Sequence, residues 1–365
     1  MQSRMNMSKD VKKSPSKMAT SLIIKHSIGV DVSKKKFDAC YKTYDIEQHT
    51  AIKGSRSFDN TPSGFKSFAE WCLKRKSADI RQVFTMEATG VYYENLAFYL
   101  YDQGLYVSVV LPNRSKKYFQ GLGIKSKTDK IDAAGLAQMG AEQNLPPWNR
   151  PDEWTVSLRQ TTRQREQLQD TRTVLLNQKE ALTCCGMVNK QLINNLDDII
   201  GTIEESLRSL EKEVDKILET DSFRNAKLNN ICKIKGLGKL TAAILLAETN
   251  CFRDFHSCSQ LVSYAGYDVV ENQSGKHSGP TKISKRGNAH IRRAMHLPAF
   301  CIKSYADDPI LVALWDRVYD RTKKKMKAYV AVQRKLLLLI YTLWKKEIEY
   351  VPGYMQKPCT KAGLS

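Results

Sequence analysis

The chain has 365 residues, 42% of them hydrophobic, which suits two or three compact units and excludes disorder throughout. Lys and Arg number 58 against 38 Asp and Glu, a formal charge of +20. Self-repulsion of that size opposes compactness and points to a polyanionic partner, and nucleic acid fits better than a membrane surface because no basic amphipathic anchor is present.

The nine cysteines (Cys40, Cys72, Cys184, Cys185, Cys232, Cys251, Cys258, Cys301 and Cys359) include no CxxC pair. They exclude a disulfide framework and a structural zinc site and read as reduced, small apolar residues. No secretory segment follows the basic start, and the apolar run Leu336 to Trp344 is too short to span a bilayer. The expected location is cytoplasmic, associated with the nucleoid, with no membrane partner.

Residues 1–22 form a basic tail with no periodicity. From Ile23 to about residue 150 the pattern is α/β. Strands are expected at Ser27 to Asp31, Lys36 to Tyr41 and His49 to Arg56, then a helix over Pro62 to Lys76, a strand over Val83 to Glu87 and a helix from Gly90 through Tyr101. A strand over Tyr106 to Leu111 and a helix from Thr128 to about Gln143, with Thr128 as its N-cap, complete the unit. Strands first and then alternating helices and strands predict an RNase H-like (RuvC-like) sheet.

Residues 151–222 read as helical. Ile193, Leu196, Ile200, Ile203, Leu207, Leu210, Val214 and Ile217 recur at steps of three and four, the seam of a coiled coil. With Gly186 between two arms, the region predicts an antiparallel helical hairpin, self-paired or contributing to a dimer. Residues 223–350 read as mainly helical, with helices at 224–233, 239–248, 256–265, 288–304, 308–322 and 325–348 and a polar loop at 268–286; residues 351–365 are a tail.

Four acids stand out. Asp31 ends the first apolar strand, Glu87 ends the strand expected beside it, and Asp129 and Asp132 share one helix face. Phosphoryl transfer on DNA often uses two divalent cations roughly 4 Å apart, which need several convergent carboxylates because hard cations prefer oxygen. Lys125, Lys127 and Lys130 surround the helical pair as candidate phosphate contacts. Asp38, Glu70 and Glu94 have no matching spacing and read as surface residues.

Further on, Gly236-Leu237-Gly238-Lys239 joins two helices in the manner of a helix-hairpin-helix, whose turn can hold a DNA phosphate through backbone N–H groups. A tight turn between core helices would look the same. In the polar loop, Ser274 and Ser278 lie among Lys276, Lys285, Arg286, Arg292 and Arg293. A serine there suits either nucleophilic attack on a phosphate or a plain hydrogen bond to the DNA backbone.

The Ile28-Gly29-Val30-Asp31 strand, Glu87-Ala88-Thr89-Gly90, Lys127-Thr128-Asp129-Lys130-Ile131-Asp132-Ala133 and Gly236-Leu237-Gly238 through Ser284-Lys285-Arg286-Gly287-Asn288 resemble the DEDD transposases of insertion sequences. This is the IS one-ten / IS eleven-eleven family, which also includes the Piv-type DNA invertases, and the likeness runs from about residue 26 to 305. It implies a RuvC-like domain, a coiled-coil region and a C-terminal transposase domain bearing a nucleophilic serine. The implied metal ligands are Asp31, Glu87, Asp129 and Asp132, holding Mg²⁺ as two ions. The implied nucleophile is Ser274, with Ser278 its rival in the same loop. The family further implies donor and target DNA as substrates, a structured bridge RNA as guide, and a dimer or tetramer with active sites shared between subunits. The expected function is therefore a transposase or site-specific recombinase acting through a 5′-phosphoserine. The alternatives are a RuvC-like metal-dependent nuclease without a covalent intermediate and a non-catalytic nucleic-acid-binding protein.

Overall fold

A computed structural model describes residues 22–352 except 78–79, 125, 127, 272, 275–276, 280 and 306–307. The chain divides into two compact units, Met1–Arg150 and Pro151–Ser365.

The first unit contains β1 (Ile23–Val32), β2 (Lys36–Asp45), β3 (Thr50–Asp59), α1 (Pro62–Leu73), β4 (Gln82–Glu87), α2 (Glu94–Asp102), β5 (Tyr106–Val110), α3 (Pro112–Gly121) and α4 (Asp129–Glu142). The strands form one sheet in the order β3-β2-β1-β4-β5. The β3-β2-β1 part is an antiparallel meander, whereas β4 and β5 run parallel to β1. This is the mixed arrangement expected of an RNase H-like unit.

Alternation along β1 decides what each face meets. Ile28 and Val30 join Phe37, Phe65, Phe68, Phe84, Leu96 and Leu100 in a core under α1 and α2. Ser27 and Gly29 face α4 instead. A Cβ at Gly29 would lie 2.1 Å from both the Ala133 carbonyl oxygen and the Ala137 nitrogen, so only glycine lets the helix come this close. The Ser27 hydroxyl donates to the Ala137 carbonyl at 2.6 Å, and the Lys25 ammonium reaches the Gly140 and Ala141 carbonyls at 3.2 and 2.7 Å. That places a cation at the negative end of the α4 dipole. At the other end the Thr128 hydroxyl accepts from Ile131 N–H as the N-cap, as expected.

Two local expectations for this unit change. Residues 90–93 form a turn, with Gly90 at φ +62°, and the helix starts only at Glu94. Residues 112–121, unassigned from sequence, form α3; their polar composition hides a helix whose buried residue is Ser115.

The second unit contains α5 (Glu153–Thr183), α6 (Lys190–Glu219), α7 (Ser222–Ile231), α8 (Lys239–Glu248), α9 (Cys258–Ala265), β6 (Val269–Val270), β7 (Gln273–Ser274), β8 (His277–Ser278), β9 (Lys282–Ile283), α10 (Ala289–Ala294), α11 (His296–Tyr305), α12 (Pro309–Thr322) and α13 (Lys325–Lys346). Helices α5 and α6 pair antiparallel, because partners climb one helix as they descend the other: Arg165 with Glu211, Arg172 with Glu204 and Lys179 with Asp197. Of the expected seam, Leu196, Ile200, Ile203, Leu207 and Val214 are buried, whereas Ile193, Leu210 and Ile217 are half-buried. Leu158, Val214 and Leu218, at the base of this pair, share one core with Leu246, Phe252, Leu336 and Ile340.

The region read as a polar loop is a nested pair of short ladders, β6 with β9 and β7 with β8. Strands of two residues carry no periodicity from which to read them. The helix expected over 288–304 breaks at Met295 into α10 and α11, since Pro298 has no N–H to offer the Ala294 carbonyl. Cys40, Cys72, Cys184, Cys185, Cys232, Cys251 and Cys301 are free, as expected. Among the described residues no helix is long and apolar enough to cross a membrane.

The contact at Gly29 yields a prediction. Gly29→Ala, harmless in most strands, should here cost about 1–3 kcal/mol or more, because backbone atoms must move. A thermal melt of the full chain checks it, and a midpoint unchanged from wild type would show that α4 is free to shift.

Candidate active site

Asp31 lies at the C-terminal end of β1 and Glu87 at the C-terminal end of the parallel neighbour β4. The register pairs Gly29 with Thr85 and Val30 with Met86, so Asp31 and Glu87 follow at the same level and on the α4 side of the sheet. Helix α4 brings Asp129 and Asp132 in its first turn. The electrostatics report the convergence: the Asp31 carboxyl is pushed up to about 6, first by burial and then by the negative charges of Asp132, Asp129, Glu87 and Asp38. Thus Glu87, Asp129 and Asp132 all lie near enough to Asp31, at the C-terminal ends of β1 and β4, to raise it, while among the described residues no three of these four acids bring ligand atoms within 4.8 Å of one another.

The side chains around them fix their orientation. Glu87 accepts from the Thr89 hydroxyl at 2.6 Å and from the buried Ser115 hydroxyl at 2.5 Å. The Lys36 ammonium stands 3.8 Å from Asp38 and 3.9 Å from Asp129. Asp129 is exposed, while Asp31, Glu87 and Asp132 are half-buried.

Asp38 requires a correction. Read from sequence as a surface acid, it is 4% exposed, pairs directly opposite Asp31 across the β1–β2 ladder, and accepts from the Ser57 hydroxyl. Phe37, Ala39 and Tyr41 fill the α1 side of β2, so alternation turns Asp38 and Cys40 to the α4 side. That alternation was visible in the sequence; its alignment with Asp31 was not. Glu70 is exposed as expected, and Glu94 is half-buried. A separate group, Asp45, Glu47 and His49 on the β2–β3 turn, has ligand atoms within 4.8 Å of one another.

In the second unit, Gly236 at φ +88° makes the turn between α7 and α8, and a Cβ there would lie 2.5 Å from that of Cys301. Gly238 is the N-cap of α8, with exposed Lys239 as the first helical residue. Ser274 in β7 stands opposite His277, and Ser278 in β8 opposite Gln273. Lys125, Lys127 and Lys276 lie outside the described residues, whereas Lys130, Lys285 and Arg286 are exposed.

The Ser284-to-Asn288 segment is held tightly. The Ser284 hydroxyl donates to Asp268 at 2.6 Å, Asn288 N–H to the Tyr264 carbonyl at 2.7 Å, and Lys285 N–H to the Gly266 carbonyl at 3.1 Å. Arg292 donates to the carbonyls of Ala265, Gly287 and Asn288, and Arg293 pairs with Asp170 and Glu166 on α5. Both arginines, read as nucleic-acid contacts, therefore have partners within their own unit.

Sequence reasoning missed Glu248, which is 3% exposed. Arg163 grips both its oxygens at 2.7 and 2.8 Å, and the Asn288 amide donates to it at 2.6 Å. Burial pushes the Glu248 carboxyl up, but Arg163 and Asn288 outweigh it and hold the group below the usual carboxylate range. Nothing in the sequence links Arg163, Glu248 and Asn288.

A prediction follows from Asp31. Its carboxyl is raised from 3.8 to about 6 in the folded chain, so its charge opposes folding. That opposition is absent below pH 3.8, grows as pH rises to about 6, and is constant above. In metal-free buffer, Asp31→Asn should therefore melt higher than wild type at pH 7 and at the same temperature near pH 3.8. A melting difference independent of pH would show that neither burial nor the neighbouring carboxylates raise the Asp31 carboxyl.

A transposase family model of the IS110 DEDD kind matches residues 28–183, and the Transposase IS116/IS110/IS902 family model matches residues 228–315. The chain is 29% identical to the pilin gene-inverting protein of Moraxella lacunata over 317 residues, covering 87% of this chain and 94% of that one. It is 26% identical to the transposase for insertion sequence element IS1111A of Coxiella burnetii over 176 residues, covering 48% of this chain and 44% of that one. Among solved structures, Thermus thermophilus RuvC matches 33% of this chain and 98% of its own, with 11% identity and a TM-score of 0.27. Two models of one family, covering more than half the chain between them, and a relative aligned along most of its length lead to one conclusion: the chain belongs to the IS110-type DEDD transposases, a family of DNA-recombining enzymes.

Proposed function

We propose that this protein is a site-specific DNA recombinase in which Asp31, Glu87, Asp129 and Asp132 hold Mg²⁺, as two ions, and Ser274 is the nucleophile. The observation that supports the reading is the nearness of Glu87, Asp129 and Asp132 to Asp31 at the C-terminal ends of β1 and β4. An all-oxygen, strongly anionic donor set suits a hard divalent cation. Buried Asp38 adds a fifth carboxylate beside them, with Ser57 and Lys36 as its own partners. Mg²⁺ bound there supplies charge neutralisation for the phosphate and for the oxygen that leaves it.

The Ser274 oxygen attacks phosphorus, and the bond from phosphorus to the 3′ oxygen breaks. The products are a 5′-phosphoserine and a 3′-hydroxyl that carries away the serine's proton. Attack of that hydroxyl on the phosphoserine of a partner duplex restores the serine and joins the strands, through a junction with the geometry of a Holliday intermediate. A bridge RNA selects donor and target by base pairing, and the paired helices α5 and α6 serve as a coiled coil in a dimer or tetramer. Exposed Lys130, Lys239, Lys285 and Arg286 favour phosphates without reading sequence. The chain works in the cytoplasm at the nucleoid.

The test is recombination between two plasmids by protein purified with its RNA. Asp31→Ala should abolish strand cleavage. Ser274→Ala should abolish the covalent protein–DNA adduct while DNA binding persists, and Ser278→Ala should retain the adduct. An adduct surviving Ser274→Ala and lost in Ser278→Ala would move the nucleophile to Ser278. Cleavage with no adduct in wild type would favour a RuvC-like nuclease using water.

A further inference from the structure

The turn after Glu87 carries large apolar groups to the surface. Gly90 at φ +62° reverses the chain, and Val91 and Tyr92 stand 60% and 43% exposed, while Tyr93 turns inward against the core under α2. The Tyr92 ring lies over Gly90, whose Cβ position is 3.9 Å from Tyr92 Cδ2. Asn60 ties this tip to the acids: its amide nitrogen donates to the Tyr92 carbonyl at 3.1 Å and to the Ser33 carbonyl at 3.0 Å. Ser33 lies two residues beyond Asp31, and Tyr92 five beyond Glu87. One side-chain amide thus clamps together the loops that follow two of the four acids.

Single exposed apolar residues are ordinary on protein surfaces. This pair differs in its place, on a fixed turn at the rim of a site that handles phosphates. A neutral aromatic ring there cannot compete with the carboxylates for a cation, and it offers a flat face to any base. We propose that Tyr92, with Val91 beside it, is where the DNA base flanking the scissile phosphate stacks, unstacking that step so the phosphate can settle against the acids. Apolar side chains inserted at a base step act in this way on duplex DNA. The inference rests on the recombinase reading above and adds a substrate-contacting residue that its chemistry does not require.

The test uses the full chain with its co-purified RNA and a duplex carrying the cleavage site mapped in the plasmid assay, with 2-aminopurine placed as the neighbour that the flanking base leaves when it moves onto Tyr92. In an Asp31→Asn background, which binds without cutting, fluorescence should rise on binding. The rise should vanish when Tyr92→Ala is added and return with Tyr92→Phe. In otherwise wild-type protein, Tyr92→Ala should lower the kcat/KM of cleavage roughly 10- to 100-fold, the range of a lost base–aromatic stack. Tyr92→Phe should stay near wild type, and both variants should melt with wild type, because the Asn60 clamp uses only the Tyr92 backbone. Unchanged fluorescence and cleavage in Tyr92→Ala would overturn the proposal, as would a cleavage loss that Phe does not rescue. Cleavage surviving in Asp31→Asn would instead sink the metal-site reading and leave the stacking result to stand or fall on its own.

Discussion

The structure around the acids depends on how closely α4 lies on β1. With no side chain at Gly29, helix backbone meets strand backbone, and Ala133, Ala137 and Gly140 repeat the small-residue theme on the helix. Lys25 and Ser27 bind the C-terminal half of α4 through its carbonyls, and Thr128 closes its N-terminus. The helix can then neither slide nor tilt far, so its first turn, with Asp129 and Asp132, is delivered beside Asp31. The positive end of the helix dipole also lies among these acids and offsets part of their repulsion. Burial first, and then the repulsion that remains, raise the Asp31 carboxyl.

The second unit applies the same economy to its loops. The residues that carry the family resemblance after the Tyr264-Ala265-Gly266 turn serve mainly as scaffold. Asn288 caps α10 and donates to Glu248, Arg292 gathers three carbonyls, and Gly287 lets the chain pass where a Cβ would lie 2.3 Å from the Tyr264 carbonyl. Glu248 is the hinge of this arrangement. Leaving such a buried carboxylate without its partner costs about 3–5 kcal/mol, so Arg163 on α5 and Asn288, at the start of α10, are energetically linked through Glu248. Arg163, Arg292 and Arg293 thus have partners within their own unit, whereas Lys239, Lys285 and Arg286 are exposed.

Much of this was legible in the sequence. Alternation and apolar runs gave the five strands of the first unit, the glycine and heptad spacing gave the α5–α6 pair, and Thr128 marked its helix start. Strand-end position and helical spacing named Asp31, Glu87, Asp129 and Asp132 before any fold was known. What stayed hidden depends on pairings that sequence does not record. Asp38 becomes notable only once β1 and β2 are set in register. Ser115 sits in a helix without an apolar stripe, and Arg163 and Glu248 look like surface charges until α5 and α8 pack. The break before α11 is different in kind, since Pro298 marks it in the sequence itself.

The central claim is that four acids from three elements form one cation site, and titration of the metal-free protein with Mn²⁺, followed by the electron paramagnetic resonance of the free ion, tests it most directly. Asp31→Asn, Glu87→Gln, Asp129→Asn and Asp132→Asn should each weaken the tightest binding by roughly 10-fold or more, and Asp45→Asn, in the carboxylate and histidine group on the β2–β3 turn, should leave it unchanged. Wild-type affinity in the four variants, or its loss in Asp45→Asn, would contradict the account.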